Sequence, residues 1–155
     1  MNKLLLLSSG LALINLAPPT YKTYHNQRFG YYIDYLADMK PQPEPENGDG
    51  RRFLSPDGQT VLIVFAGYAA EDDGLNKRRQ VAREDWQEKH ATFTLDQTTR
   101  TGYVLSGKVK GRIFYERTVI KNYMLTVFIW QYPAARKAAM DAVIQHTIQT
   151  LQPSV

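Results

Sequence analysis

The chain has 155 residues, 43% hydrophobic and 22% charged, a composition that suits one globular domain and excludes a disordered chain. Nineteen basic residues against fifteen acidic ones give a formal charge of +4, but the two signs are interleaved. The gathered cationic face that phosphate binding needs is missing, so nucleic acid is not an expected partner. The absence of cysteine excludes disulfides and a lipid anchor on an N-terminal Cys.

The N-terminus, MNKLLLLSSGLALINLAPP, places one cation, Lys3, before an uncharged stretch from Leu4 to Ala17, the layout of a secretory signal peptide. That stretch makes about 21 Å of helix, too short for a hydrocarbon core of about 30 Å, so no stable membrane span is expected. Ala17, followed by Pro18, and Ala12, with Gly10 two residues upstream, are the alternative cleavage sites. The expectation is a leader over residues 1–17, a single domain over 21–152 and a periplasmic location.

In YKTYHNQRFGYYIDY, aromatic and β-branched residues flank an Asn26-to-Gly30 turn, which predicts a hairpin from Tyr21 to Tyr35 with Tyr31, Ile33 and Tyr35 on one face. The three prolines of LADMKPQPEPENGDG predict an extended surface loop. A second hairpin follows, RRFLS and TVLIVFAGY around Pro56-Asp57-Gly58. Residues 75–89 are rich in helix formers, with Leu75, Ala82 and Trp86 on one side. Four strands are predicted next, Thr92–Thr98, Gly102–Val109, Arg112–Ile120 and Tyr123–Tyr132, joined by short turns into an antiparallel meander.

The last of these strands decides the architecture. Leu125, Val127 and Ile129 alternate with Met124, Phe128 and Trp130, so both of its faces are apolar and each needs a covering layer. A final helix, Ala134 to Leu151, carries Met140, Val143, Ile144, Thr147, Ile148 and Leu151 at helical spacing and covers one face. The helix at 75–89, together with the proline loop, is assigned to the other. The predicted fold is α+β, a mostly antiparallel sheet sandwiched between helices.

Four segments in this order, Arg28–Tyr35, Asn47–Arg51, Val104–Arg117 and Tyr132-Pro133, give the chain a resemblance to the PsbP-like α/β/α sandwich superfamily, and within it to small exported bacterial proteins of the DcrB-like kind. The resemblance spans nearly the whole chain after the leader. It departs at Leu36, where the exported group often carries proline. Members resemble accessory or protein-binding modules: a lumenal photosystem II subunit, a Ran-binding import factor, periplasmic proteins and chaperones of secreted effectors. They share no catalytic set, so the resemblance implies no active site and no cofactor.

The stretch PENGDGRRF packs acids, an amide, glycines and two arginines into nine positions. As an EF-hand loop it would put Pro45 and Pro56 at ligand positions, so that reading fails, leaving only a partial oxygen site from Glu46, Asn47 and Asp49. A rigid double turn fits better, with Arg51 and Arg52 on opposite faces of the next strand, one of them able to pair with Asp49. His25, His90 and His146 lack metal spacing, and Ser106-Gly107 is no nucleophile elbow. Lys77, Arg78, Arg79 and Arg83 predict a solvated helix face with local ion pairs. Tyr and Arg favour contact hot spots, which singles out Tyr115, Arg117 and the Tyr31, Tyr32, Tyr35 group.

The expected function is therefore a non-enzymatic periplasmic module that recognises another protein, in its narrower form an immunity or adaptor protein for a secreted toxin. The candidate contact residues are Asn47, Asp49, Arg51, Arg52, Tyr115 and Arg117. The alternative is a small-ligand or metal-binding accessory protein using the Asn47–Arg52 loop.

Overall fold

A computed structural model describes residues 17–70 and 74–154; the expected leader therefore lies, but for Ala17, outside the described residues. The first hairpin forms as β1 (Tyr21–His25) and β2 (Tyr32–Leu36), a two-stranded sheet of its own that a single antiparallel bridge, Tyr32 to Gln152, ties to the segment near the C-terminus. A seven-stranded antiparallel sheet follows. Its strands are β3 (Lys40–Pro41), β4 (Gly50–Leu54), β5 (Val61–Tyr68), β6 (Thr92–Thr98), β7 (Gly102–Val109), β8 (Arg112–Lys121) and β9 (Met124–Pro133), in the order β3-β4-β5-β9-β8-β7-β6. Helix α1 (Leu75–Glu88) links β5 to β6, and α2 (Lys137–Thr150) follows a 3-10 turn at Ala134–Arg136.

This order explains why α1 lies across the sheet. β5 and β6 are four strand positions apart, about 19 Å, and the fourteen residues of α1 make a helix of about 21 Å. The chain crosses one face to reach the far edge, then returns strand by strand until β9 pairs with β5. The return is tight because β8 and β9 are joined by Asn122 and Tyr123, both in the left-handed region (φ 49° and 61°), which suits the right-handed twist of a hairpin. Tyr123 therefore belongs to the turn, and β9 begins one residue later than expected.

Strand β9 has a covering layer on each side, complete on one and partial on the other. Trp130 is 0% exposed and Val127 4%. Phe128, Trp130 and Tyr132 join Phe53, Leu62 and Val64 in a core covered by α2 and by the β1–β2 hairpin, whose Tyr31, Ile33 and Tyr35 all point into it. Val127 and Ile129 face the other way, toward α1. The proline loop does not share that duty with α1 as expected. Lys40 and Pro41 extend the sheet edge beside β4, where a residue without an N–H is tolerated. Glu44 then turns onto the hairpin side, accepting from the Tyr24 hydroxyl at 2.9 Å and pairing with Arg51 at 3.6 Å. The α1 face is left to one helix.

His146 is built into the seam between hairpin and helix. Its ring stacks on Tyr21 at 3.6 Å, and Nε2 lies 2.8 Å from Asp34 Oδ2, while the Thr23 hydroxyl donates to Asp34 Oδ1 at 2.7 Å. Losing one hydrogen bond and one stacked ring at a half-buried seam costs about 1–2 kcal/mol. His146→Ala is expected to lower stability by that amount in urea denaturation at neutral pH, whereas an unchanged midpoint would show that the seam carries no load.

Candidate functional site

Trp86 fixes where α1 sits. It is the one buried residue of the helix, and its indole stacks on Phe114 of β8 at 3.9 Å, with Phe93 of β6 edge-on to the same ring. On this side the helix is also held by charge: Arg79 and Arg83 both bond the carboxylate of Asp96 on β6, Arg83 at 2.6 Å and over the Phe93 ring. These two cations thus reach across to the sheet, where local pairing along a solvated helix was expected. The Gln80–Glu84 contact, at 2.8 Å, follows the local pattern. These anchors of α1 lie toward β6, β7 and β8.

Toward β5 and β9 the helix leaves a groove of about 420 Å³. Phe65, Leu125, Val127 and Ile129 line its sheet side, and Val81, Ala82 and Trp86 its helix side. Leu125 and Ile129 are half-buried, and Val81 is 52% exposed. Lys77, Arg78, Lys89 and Asp85 stand at the margin, and Glu116, Tyr103 and Thr118 form the base.

Glu116 is the unusual member. Along β8 the residues facing α1 are Phe114, Glu116 and Thr118, so an acid occupies a column where apolar or small residues are the rule. It is 6% exposed. Oε2 accepts from Trp86 Nε1 at 2.7 Å, a short charge-assisted bond, while the Tyr103 hydroxyl reaches Oε1 only at 3.5 Å. Burial pushes the Glu116 carboxyl up to about 6, against the lowering effect of the Trp86 hydrogen bond and the Lys89 charge. Burial, with the Glu116 charge beside it, pushes the Tyr103 phenol up to about 12. Thr118 Oγ1 sits beside the Tyr103 hydroxyl, fully buried, without completing a hydrogen bond. Lys89 lies over the outer face of the indole, its ammonium 4.8 Å from the ring centre.

The six contact residues singled out in the sequence fall in three places. Asn47 and Asp49 satisfy each other, the Asn47 amide donating to Asp49 Oδ2 at 2.8 Å. Their turn is tied down from below by Asn26 Nδ2 to the Gly48 carbonyl at 3.0 Å and by the Tyr31 hydroxyl to the Asp49 carbonyl at 3.2 Å. Arg51 and Arg52 do take opposite faces. Arg51 turns to the hairpin side, donating to the Gln42 carbonyl at 2.8 Å and pairing with Glu44, not Asp49; Arg52 is exposed on the α1 side, next to Ile63. Tyr115 and Arg117 lie on the α2 side of β8, three strand positions from β4 across β9 and β5. Tyr115 stacks near Phe128 and borders a second groove against α2.

Of the tyrosine group, Tyr31 and Tyr35 are core residues; the tyrosines that face solvent most are Tyr68, 71% exposed, and Tyr123, 61% exposed. Among the described residues no three His, Asp or Glu side chains gather to hold a metal ion. Glu116 and its Trp86 donor were missed in the sequence. The signal was there in RIFYERTVIK, where Glu116 alternates in register with Phe114 and Thr118.

No protein-family model matches the chain, and no curated protein does. Among solved structures, it resembles the solution structure of cyanobacterial PsbP (CyanoP) from Synechocystis sp. PCC 6803, with a TM-score of 0.67 at 12% identity, covering 90% of this chain and 95% of that one. A crystal structure from Bacteroides thetaiotaomicron aligns at a TM-score of 0.47 and 15% identity, over 81% of this chain and 45% of that one. The first likeness shows a PsbP-like fold, as the motif order implied.

Proposed function

We propose that this protein is an exported, non-enzymatic accessory module that recognises another protein through the groove beneath α1. The observation that carries this reading is the uneven cover of the sheet. One face is closed by a helix and a hairpin together, whereas the other has a single helix seated through one buried residue. The apolar strip left open is concave, and a partner's anchor side chains gain most where such a strip excludes water.

The chemistry of the margin narrows the partner. Lys89 lies over the Trp86 ring at the margin, and the exposed Arg52 adds a second cation, in register with Ile63 and then Ile129 across β4, β5 and β9. A surface of that kind suits apolar anchors set among acidic residues. Export rests on the leader expected in the sequence, and no helix among the described residues is long and apolar enough to cross a membrane. An immunity or adaptor role toward a secreted toxin is the narrower form of the proposal, and kinship with the DcrB-like exported group belongs with it.

The test is capture from a periplasmic extract with wild-type protein and two charge variants. Val81→Glu puts an acid into the groove wall, and Gln97→Glu puts one on the opposite sheet face. The expected result is a specific partner held equally by wild type and Gln97→Glu and at least tenfold less by Val81→Glu. Equal capture by Val81→Glu would remove the groove from the contact. If no partner is retrieved and calorimetry shows calcium or a small anion binding that Asp49→Ala abolishes, the alternative seated on the Asn47–Arg52 loop replaces the proposal.

A further inference from the structure

A carboxylate at the base of an apolar groove is an expensive choice unless something uses it. Ionised, Glu116 offers about four acceptor positions on its two oxygens. Trp86 fills one at 2.7 Å, and Tyr103 reaches a second only at 3.5 Å. Thr118 adds a buried hydroxyl with no completed hydrogen bond beside them. Three polar groups thus converge on one spot, with acceptor capacity to spare. The walls around them, Phe65, Leu125, Val127 and Ile129, are hydrocarbon.

We infer that the groove is built for a protonated primary amine on an unbranched apolar stem, the ammonium meeting Glu116 and the stem lying along Leu125 and Ile129. This deepens the reading of the groove as a recognition site and rests on it. The charge pattern selects among ligand types. A bare metal ion would find one carboxylate where several oxygens are needed. A carboxylate-headed ligand would meet Glu116 as a like charge in a poorly hydrated place. An ammonium supplies three donors in a compact group, which the open oxygen positions and the Thr118 hydroxyl can accept. Cations at the margin keep acids near the mouth, so a lysine with acidic neighbours satisfies both depths of the groove at once.

Three probes of equal length isolate this chemistry: n-pentylammonium, n-pentanol and n-pentanoate. Each is titrated at pH 7.5 and followed by the indole N–H resonance of Trp86. The ammonium is expected to bind at least tenfold more tightly than the alcohol, and the alcohol more tightly than the acid. Glu116→Gln should erase the ammonium's advantage while leaving alcohol binding within about threefold; Thr118→Val, which keeps the carboxylate, should reduce the advantage without erasing it. An acetylated, amidated Glu-Lys-Glu tripeptide separates the two sources of the amine. Tighter binding than pentylammonium assigns the site to a partner's lysine, and weaker binding assigns it to a free amine. Pentanol or pentanoate binding as tightly as pentylammonium, an ammonium preference that survives Glu116→Gln, or no response to any probe would overturn the inference. None of these results depends on protein capture, so a partner whose binding Val81→Glu weakens would leave the broader proposal standing if the amine preference failed.

Discussion

Trp130→Ala is expected to lower the unfolding free energy by about 3–5 kcal/mol. Trp130 is fully buried on the β9 face that α2 and the β1–β2 hairpin close together, and its Nε1 donates to Thr147 Oγ1 at 3.2 Å. Removing the indole leaves a cavity between three elements, each held elsewhere: the hairpin by the His146–Asp34 seam, the helix by Met140, Val143 and Ile144, and the strand by ladders on both sides. None can move inward without breaking another contact, so little of the cavity collapses. The lost hydrogen bond adds less, because Thr147 Oγ1 still donates to the Val143 carbonyl. Against a total stability of about 5–15 kcal/mol, the midpoint of thermal unfolding should fall by roughly 10–20 °C. A loss under about 1 kcal/mol would mean that the hairpin and α2 do not clamp this ring.

Glu116→Gln is expected to stabilise the protein at neutral pH, an unusual direction for a buried residue. The folded carboxyl titrates at about 6 against 4.5 for the free side chain, because burial favours its neutral form. Below pH 4.5 the carboxyl is protonated in both states and costs nothing. Between about 4.5 and 6 the folded protein holds the proton more tightly than the unfolded chain, so stability falls as pH rises. Above about 6 the penalty is constant, on the order of 2 kcal/mol. Glutamine keeps an acceptor for Trp86 Nε1 but carries no charge, so the variant should lose the slope between pH 4.5 and 6 and gain up to about 2 kcal/mol at pH 7.5. Asp57 does not blur this window. Hydrogen bonds from Arg136, Ser55 and the Gln59 amide hold its carboxyl well below the usual range, so its contribution is lost only as the pH falls below 3.8. A wild-type protein with flat stability from pH 4.5 to 6 would show that Glu116 is not buried as a charge. A stabilising substitution at a groove base is also what a site kept for binding rather than for folding would give.

Much of the fold could be read from the sequence because the informative segments are long and periodic. In YMLTVFIWQY both alternating sets are apolar, and that pattern has few solutions other than a strand closed front and back. The meander boundaries followed from turn residues that leave little freedom, such as Lys110-Gly111, whereas Tyr123, expected to open the last strand, completes the turn with Asn122. The proline loop was misplaced because its position depends on which strand it meets at the edge. That is a tertiary fact, decided by Lys40 and Pro41 lying opposite Leu54 and Phe53.

The site was harder to read for a related reason. Tyr115 and Arg117 drew attention as a hot-spot pair, but they belong to the alternation set of β8 that faces α2. The set facing α1 holds Phe114, Glu116 and Thr118. Sequence gives the alternation without saying which face will be left partly open. Here the open face follows from α1, whose anchors Trp86, Arg79 and Arg83 all pull toward the β6 edge.

Site-specific photocrosslinking in the native cell tests most directly whether that open face is where the protein is used. A benzophenone amino acid is placed in turn at position 81, on the groove wall, and at position 32, on the hairpin. The expected result is a discrete covalent adduct with another protein from position 81, lost when excess purified protein competes, and none from position 32. Adducts from position 32 with none from position 81 would contradict it and move the contact surface to the opposite side of the sheet.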